Sequence, residues 1–133
     1  MSGVRVYTYA NCDSCRRAAK WLRAQGVVFE ERPIRETPPS PAELRTMLAA
    51  LAGERRRLFN TAGRDYRELG LSAKLPLLTD AAAIALLAGN GNLIKRPFLI
   101  GPGVALAGFD EKVWAGALQG ADIQAGKKET KKL

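Results

Sequence analysis

Cys12 and Cys15 are the chain's two cysteines, separated by Asp13 and Ser14, and there is no histidine anywhere. A thiolate is a nucleophile, and two neighbouring thiols can make and break a disulfide. The missing histidine removes the commonest zinc ligand and the commonest general base. Ser–His and Cys–His hydrolases are therefore excluded. Two cysteines do not close a structural zinc site, so no metal is expected. Chemistry in this chain must run on sulfur, arginine, carboxylates or backbone dipoles. The plainer alternative is that both cysteines are small residues packed in a core, as free cysteines often are.

The elements around the pair argue for chemistry. Residues 4–9 alternate β-branched and aromatic types and read as a strand. Arg16 to Gln25 carries Ala18, Ala19 and Leu22 at helical spacing, with Gly26 placed to stop the helix. Val27 to Glu31 reads as a second strand, which completes a βαβ unit. The C-x-x-C at the strand-to-helix junction of such a unit is a redox signature. Cys12 then sits where orphan N–H groups and the helix dipole favour a thiolate, with Arg16 and Arg17 one turn on. Cys12, nearer the exposed end, is the attacking thiol, and Cys15 resolves the mixed disulfide.

Pro33 to Pro41 is a turn-rich connector. Ser40, Pro41 and Glu43 form a capping box that opens a helix to about Ala52, ended by Gly53. Asp80 is read as the cap of a helix over Ala81 to Ala88, and residues 41–92 as mainly helical. Phe98 to Ile100 forms a strand, Gly101–Gly103 a hairpin turn, and Val104 to Ala107 the return strand. Asp110 caps a last helix through Trp114 and Leu118. With the helical insertion set aside, this is a thioredoxin-like order: an α/β fold in which a small mixed sheet is flanked by helices. In such folds a cis-proline opens the strand facing the cysteine pair, and Pro97 opens the strand here; a trans proline, tolerated at a strand start, is the plainer alternative. Arg96 then lies near Cys12 as a holder of anionic groups.

A chain of 133 residues with 47% apolar content suits one domain, placed at residues 1–119, with a basic flexible tail over 120–133. The net charge of +8 is mostly dispersed and is not interleaved with aromatics, so direct nucleic-acid binding is not expected. No apolar run reaches the roughly 20 residues needed to cross a bilayer. The opening residues do not resemble a signal peptide, and a cytoplasmic location is expected.

Several ordered blocks carry a family resemblance. Tyr9-Ala10-Asn11-Cys12-Asp13-Ser14-Cys15-Arg16-Arg17-Ala18 resembles the active-site opening of the arsenate reductase/Spx/MgsR family. Arg35 to Ser40, Leu58-Phe59-Asn60-Thr61, Tyr66 to Leu71 and Leu93-Ile94-Lys95-Arg96-Pro97 resemble its later blocks, in order. The resemblance implies a thioredoxin-like fold with a helical insertion. In the family's glutaredoxin-dependent arsenate reductases, the cysteine matching Cys12 attacks arsenate, glutathione with glutaredoxin regenerates it, and three arginines hold the oxyanion. Arg96 matches one of them; the first falls on Asn60 and the last near Gly108. Those enzymes also lack a cysteine matching Cys15, whereas the C-x-x-C resembles Spx, a redox-sensing regulator that binds RNA polymerase.

Three functions are thereby expected to compete. The leading one is a thiol-dependent reductase that uses Cys12, Cys15 and Arg96, with Asn11, Asp13, Ser14, Asn60 and Pro97 around the substrate. Its substrate is a small oxyanion or a disulfide. It binds no cofactor, and glutathione with glutaredoxin, or thioredoxin, supplies electrons. The alternatives are an Spx-like regulator that binds RNA polymerase and a glutaredoxin-dependent arsenate reductase.

Overall fold

The computed structural model describes residues 3–119; the expected basic tail lies outside the described residues. Four strands form one mixed sheet in the order β2-β1-β3-β4. They are β1 (Val4–Thr8), β2 (Phe29–Pro33), β3 (Phe98–Gly101) and β4 (Val104–Ala107). β1 and β2 run parallel, with Val4 opposite Phe29. β3 is antiparallel to β1 and to β4. The helices are α1 (Asp13–Ala24), α2 (Pro41–Ala50), α3 (Arg64–Glu68), α4 (Leu71–Lys74), α5 (Asp80–Ala88) and α6 (Glu111–Gln119). This is the mixed α/β, thioredoxin-like architecture with a helical insertion that the element order implies.

Alternation along β1 divides its side chains between two apolar layers. Val4 and Val6 join Ala18 and Leu22 of α1, Leu99, and Trp114 and Leu118 of α6 on one face. Tyr7 points the other way, into the layer formed by Leu44, Met47 and Leu48 of α2, Ile84 and Leu87 of α5, and Phe98. Each face of the sheet is thus buried by helices, as a small α/β domain requires.

Local signals set most boundaries, and three differ from the sequence reading. α1 begins at Asp13 rather than Arg16, because Cys12 is itself the N-cap and its sulfur accepts the Cys15 N–H. β2 is shifted to Phe29–Pro33, since its register is set by pairing with β1 and not by its own apolar content. Thr79, not Asp80, caps α5: its hydroxyl accepts the Ala82 N–H and leaves Asp80 in the first turn. The Ser40–Glu43 capping box is formed as read. Asp110 Oδ1 accepts the N–H groups of Lys112 and Val113 at 3.1 and 3.2 Å. Gly26 has φ +75°, a left-handed value that suits glycine at the end of α1.

Candidate functional site

The cysteine pair spans the start of α1, Cys12 as its N-cap at the end of the turn from β1 and Cys15 in its first turn. The Cys12 N–H donates to the Tyr9 carbonyl at 3.1 Å, which fixes the turn and sets Cys12 at the helix N-terminus. Its sulfur accepts from the Cys15 N–H at 3.3 Å and lies 3.2 Å from the Ser14 hydroxyl. Cys12 is half-buried, whereas Cys15 is only 2% exposed on the inner side of α1. Both are free thiols.

The two thiols are driven apart in acidity. Burial works against ionisation of Cys12 and is the largest single influence on it. The hydrogen bonds from Cys15, Ser14 and Arg96 together outweigh it and hold the thiol below its ordinary value. Burial pushes the Cys15 thiol up to about 12, reinforced by its hydrogen bond with Cys12. One sulfur is therefore disposed to be a thiolate while its neighbour keeps a proton. Arg16 and Arg17 do not take the part expected of them. Arg17 Nε donates to Asp13 at 3.1 Å, and Arg16 Nη1 donates to the Ala10 carbonyl at 2.7 Å.

Arg96 follows two segments that are tied together. Phe59 and Ile94 form an isolated antiparallel bridge. The Asn60 N–H donates to Leu93 O at 2.7 Å and the Lys95 N–H to Leu58 O at 2.9 Å. The Arg96–Pro97 peptide is cis, which decides between the two isomers the sequence left open. Pro97 itself is buried at the foot of β3, and its carbonyl accepts the Gly108 N–H at 2.8 Å.

Beside the thiols lies a cleft of about 290 Å³ lined by Tyr9, Arg35, Asn60, Arg64, Asp65 and Arg96, among others. The guanidinium carbons of Arg35 and Arg96 lie 5.0 and 4.8 Å from the centre of the Tyr9 ring. Asn60 Nδ2 donates weakly to Asn92 O at 3.4 Å. Of the residues singled out in the sequence, Cys12, Ser14, Cys15 and Arg96 come together, and Asn60 shares the cleft with Arg96. Asn11 is exposed in the turn, and Asp13 is spent on arginines one turn away. Tyr9 and Arg35 had no assigned role. Both lie within resembling blocks, but only the fold shows that they meet.

The ArsC family model matches residues 7–117. A curated relative, the uncharacterized protein YusI of Bacillus subtilis, is 39% identical over 79% of this chain and 89% of its own length. The global transcriptional regulator Spx of Enterococcus faecalis is 29% identical over 80% of this chain and 79% of its own. Among solved structures, one described as a possible arsenate reductase from Streptococcus mutans superposes with a TM-score of 0.77. It is 34% identical and covers 84% of this chain and 97% of that one. With the family model spanning residues 7–117 and a relative 39% identical over 79% of the chain, the chain belongs to the ArsC family.

Proposed function

We propose that this chain is a thiol–disulfide oxidoreductase in which Cys12 attacks and Cys15 resolves. The observation that carries the reading is the asymmetry of the pair. Cys12 is half-buried at a helix N-cap with donors on its sulfur, and Cys15 is buried behind it with its proton held. The Cys12 thiolate attacks one sulfur of a disulfide, forms a mixed disulfide and expels the first thiolate. Cys15 then gives up its proton to the medium and attacks the Cys12 sulfur. That step closes the Cys12–Cys15 disulfide and releases the second thiol. An external thiol, from glutathione with glutaredoxin or from thioredoxin, returns the pair to dithiol. Ser14 and Arg96 support the Cys12 thiolate, Asn60 borders the approach from the cleft, and Asn11, Asp13 and Pro97 shape the backbone around it.

NADPH-coupled turnover of a small disulfide tests this, with thioredoxin and its reductase in one arm and glutathione with glutaredoxin in the other. Turnover above that of the reductant system alone is expected in at least one arm and is lost in Cys12→Ser; no excess over that background in either arm would refute the reading. Arsenate belongs in the same assay. Of the three arginines that the resemblance assigns to arsenate, only Arg96 is present, and charge-assisted contacts contribute roughly 1.5–3 kcal/mol each. Arsenate is therefore expected to be turned over more slowly than the disulfide.

A second reading, a redox-switched regulator, is favoured by the likeness to the global transcriptional regulator Spx, with which the resemblance of the C-x-x-C is in keeping. Under it, RNA polymerase is recovered from lysate by the immobilised chain in one redox state. Equal failure of both states to retain polymerase argues against it.

A further inference from the structure

The cleft beside the thiols carries three guanidiniums, those of Arg35, Arg64 and Arg96, against the single carboxylate of Asp65. Asp65 is already engaged, since its Oδ2 accepts from Asn90 Nδ2 at 3.0 Å and from Asn92 Nδ2 at 3.4 Å. Among the described residues none of the three arginines forms an ion pair with a carboxylate. Arg35 spends one donor on the Tyr9 hydroxyl at 2.9 Å, and its remaining donors are free to face the cleft. The Tyr9 ring, within 5.0 Å of both guanidinium carbons, holds Arg35 and Arg96 in fixed relation. Like charges gathered without a counter-charge are costly unless a ligand supplies it, and planar guanidinium forks match carboxylates.

Geometry also constrains the ligand. Cys12 is not among the residues that line the cleft, and of the three lining arginines Arg96 is the one whose charge also favours the Cys12 thiolate. An anion held by Arg35 and Arg64 is therefore set apart from the attacking sulfur. An inorganic oxyanion under attack must keep its central atom at Cys12, and it would leave most of a 290 Å³ cleft empty. An anion linked to the reacting sulfur through a short spacer satisfies both ends at once.

We propose that Arg35 and Arg64, with Arg96 as the bridge to Cys12, form an anion subsite. It selects disulfides whose thiol halves carry a carboxylate. This rests on the thiol–disulfide reading above and names the substrate class for that site. The carboxylate takes no part in the exchange; it docks while the thiolate attacks the disulfide sulfur.

The test compares initial rates of Cys12 oxidation by 3,3′-dithiodipropionate (anionic), bis(2-hydroxyethyl) disulfide (neutral) and cystamine (cationic). Each rate is divided by that of the same disulfide with a small free thiol. The expected order is anionic, neutral, cationic, with the anionic substrate favoured over the neutral one by about tenfold at low salt. Arg35→Gln and Arg64→Gln each cut that preference severalfold. Arg45→Gln, the same charge change at an exposed position of α2, leaves the preference intact and so separates a local subsite from the field of a +8 chain. Equal normalised rates for the three disulfides, or an equal loss in Arg45→Gln, overturn the subsite while exchange survives. No Cys12-dependent exchange with any of the three overturns the oxidoreductase reading and the subsite with it.

Discussion

Two sulfurs separated by two residues differ in acidity because only one of them meets donors while half open to solvent. Alkylation by iodoacetamide, read by mass spectrometry across pH, is expected to modify Cys12 at a pH below that of an ordinary thiol and to spare Cys15. Ser14→Ala and Arg96→Gln are expected to move the Cys12 profile to higher pH, since each removes one of the contributions that together outweigh burial. Arg16→Gln leaves the profile in place, because Arg16 serves the Ala10 carbonyl. Cys15 also leaves a mark on stability. Its folded pKa of about 12 lies above the roughly 8.5 of an unfolded thiol. The folded state thus holds that proton more tightly. The associated stability is complete below the unfolded value and is lost as pH rises from there toward about 12. In Cys15→Ala, denaturant unfolding is expected to show a shallower alkaline decline than in the wild type, with the Tyr7 contribution common to both. The type and spacing of the cysteines were legible in the sequence. The fate of the arginines was not: which of Arg16, Arg17, Arg35 and Arg96 reaches the sulfur depends on side chains meeting across the fold.

At the scale of elements, a few positions connect the insertion to the sheet. Glu43 closes the capping box of α2 and also accepts the Tyr7 hydroxyl at 2.7 Å and Arg5 Nη1 at 2.8 Å. Ser40→Ala, which removes one cap, is expected to cost about 1 kcal/mol in chemical denaturation. Glu43→Ala leaves the buried Tyr7 hydroxyl without its acceptor and adds ~1–3 kcal/mol beyond the cap. Gly91 is a second connection: a Cβ there would stand 1.9 Å from the Ile34 carbonyl oxygen. Gly91→Ala must therefore push the segment after β2 away from the segment that leads to Arg96. A loss of ~1–3 kcal/mol, with slower Cys12 chemistry, is expected on unfolding and exchange assays. The capping box was readable because its residues are local. The close approach at Gly91 was not, because Ile34 is distant in sequence. The edges of β2 and α1 moved for the same reason, one following a partner strand and the other following a cysteine that acts as its own cap.

For the whole molecule, a mixed sheet covered on both faces delivers three separate stretches of chain to one end. The β1–α1 turn brings the thiols, the stretch after β2 brings Arg35, and the bridged segments around Phe59 and Ile94 bring Asn60 and Arg96. The order of elements was visible from periodicity, proline and glycine placement, and it sufficed for the fold. The cleft was not, because its lining is drawn from residues 9 to 96 and has no sequence signature of its own. The central claim is that the two thiols of this architecture act in sequence, and intact-mass analysis after a brief exposure to bis(2-hydroxyethyl) disulfide tests it most directly. The wild type is expected to lose two hydrogens as Cys12–Cys15 closes, Cys15→Ser to accumulate a mixed disulfide mapped to Cys12, and Cys12→Ser to remain unmodified on that timescale. An adduct mapped to Cys15, or a Cys12→Ser protein that reacts as fast as the wild type, would contradict the account.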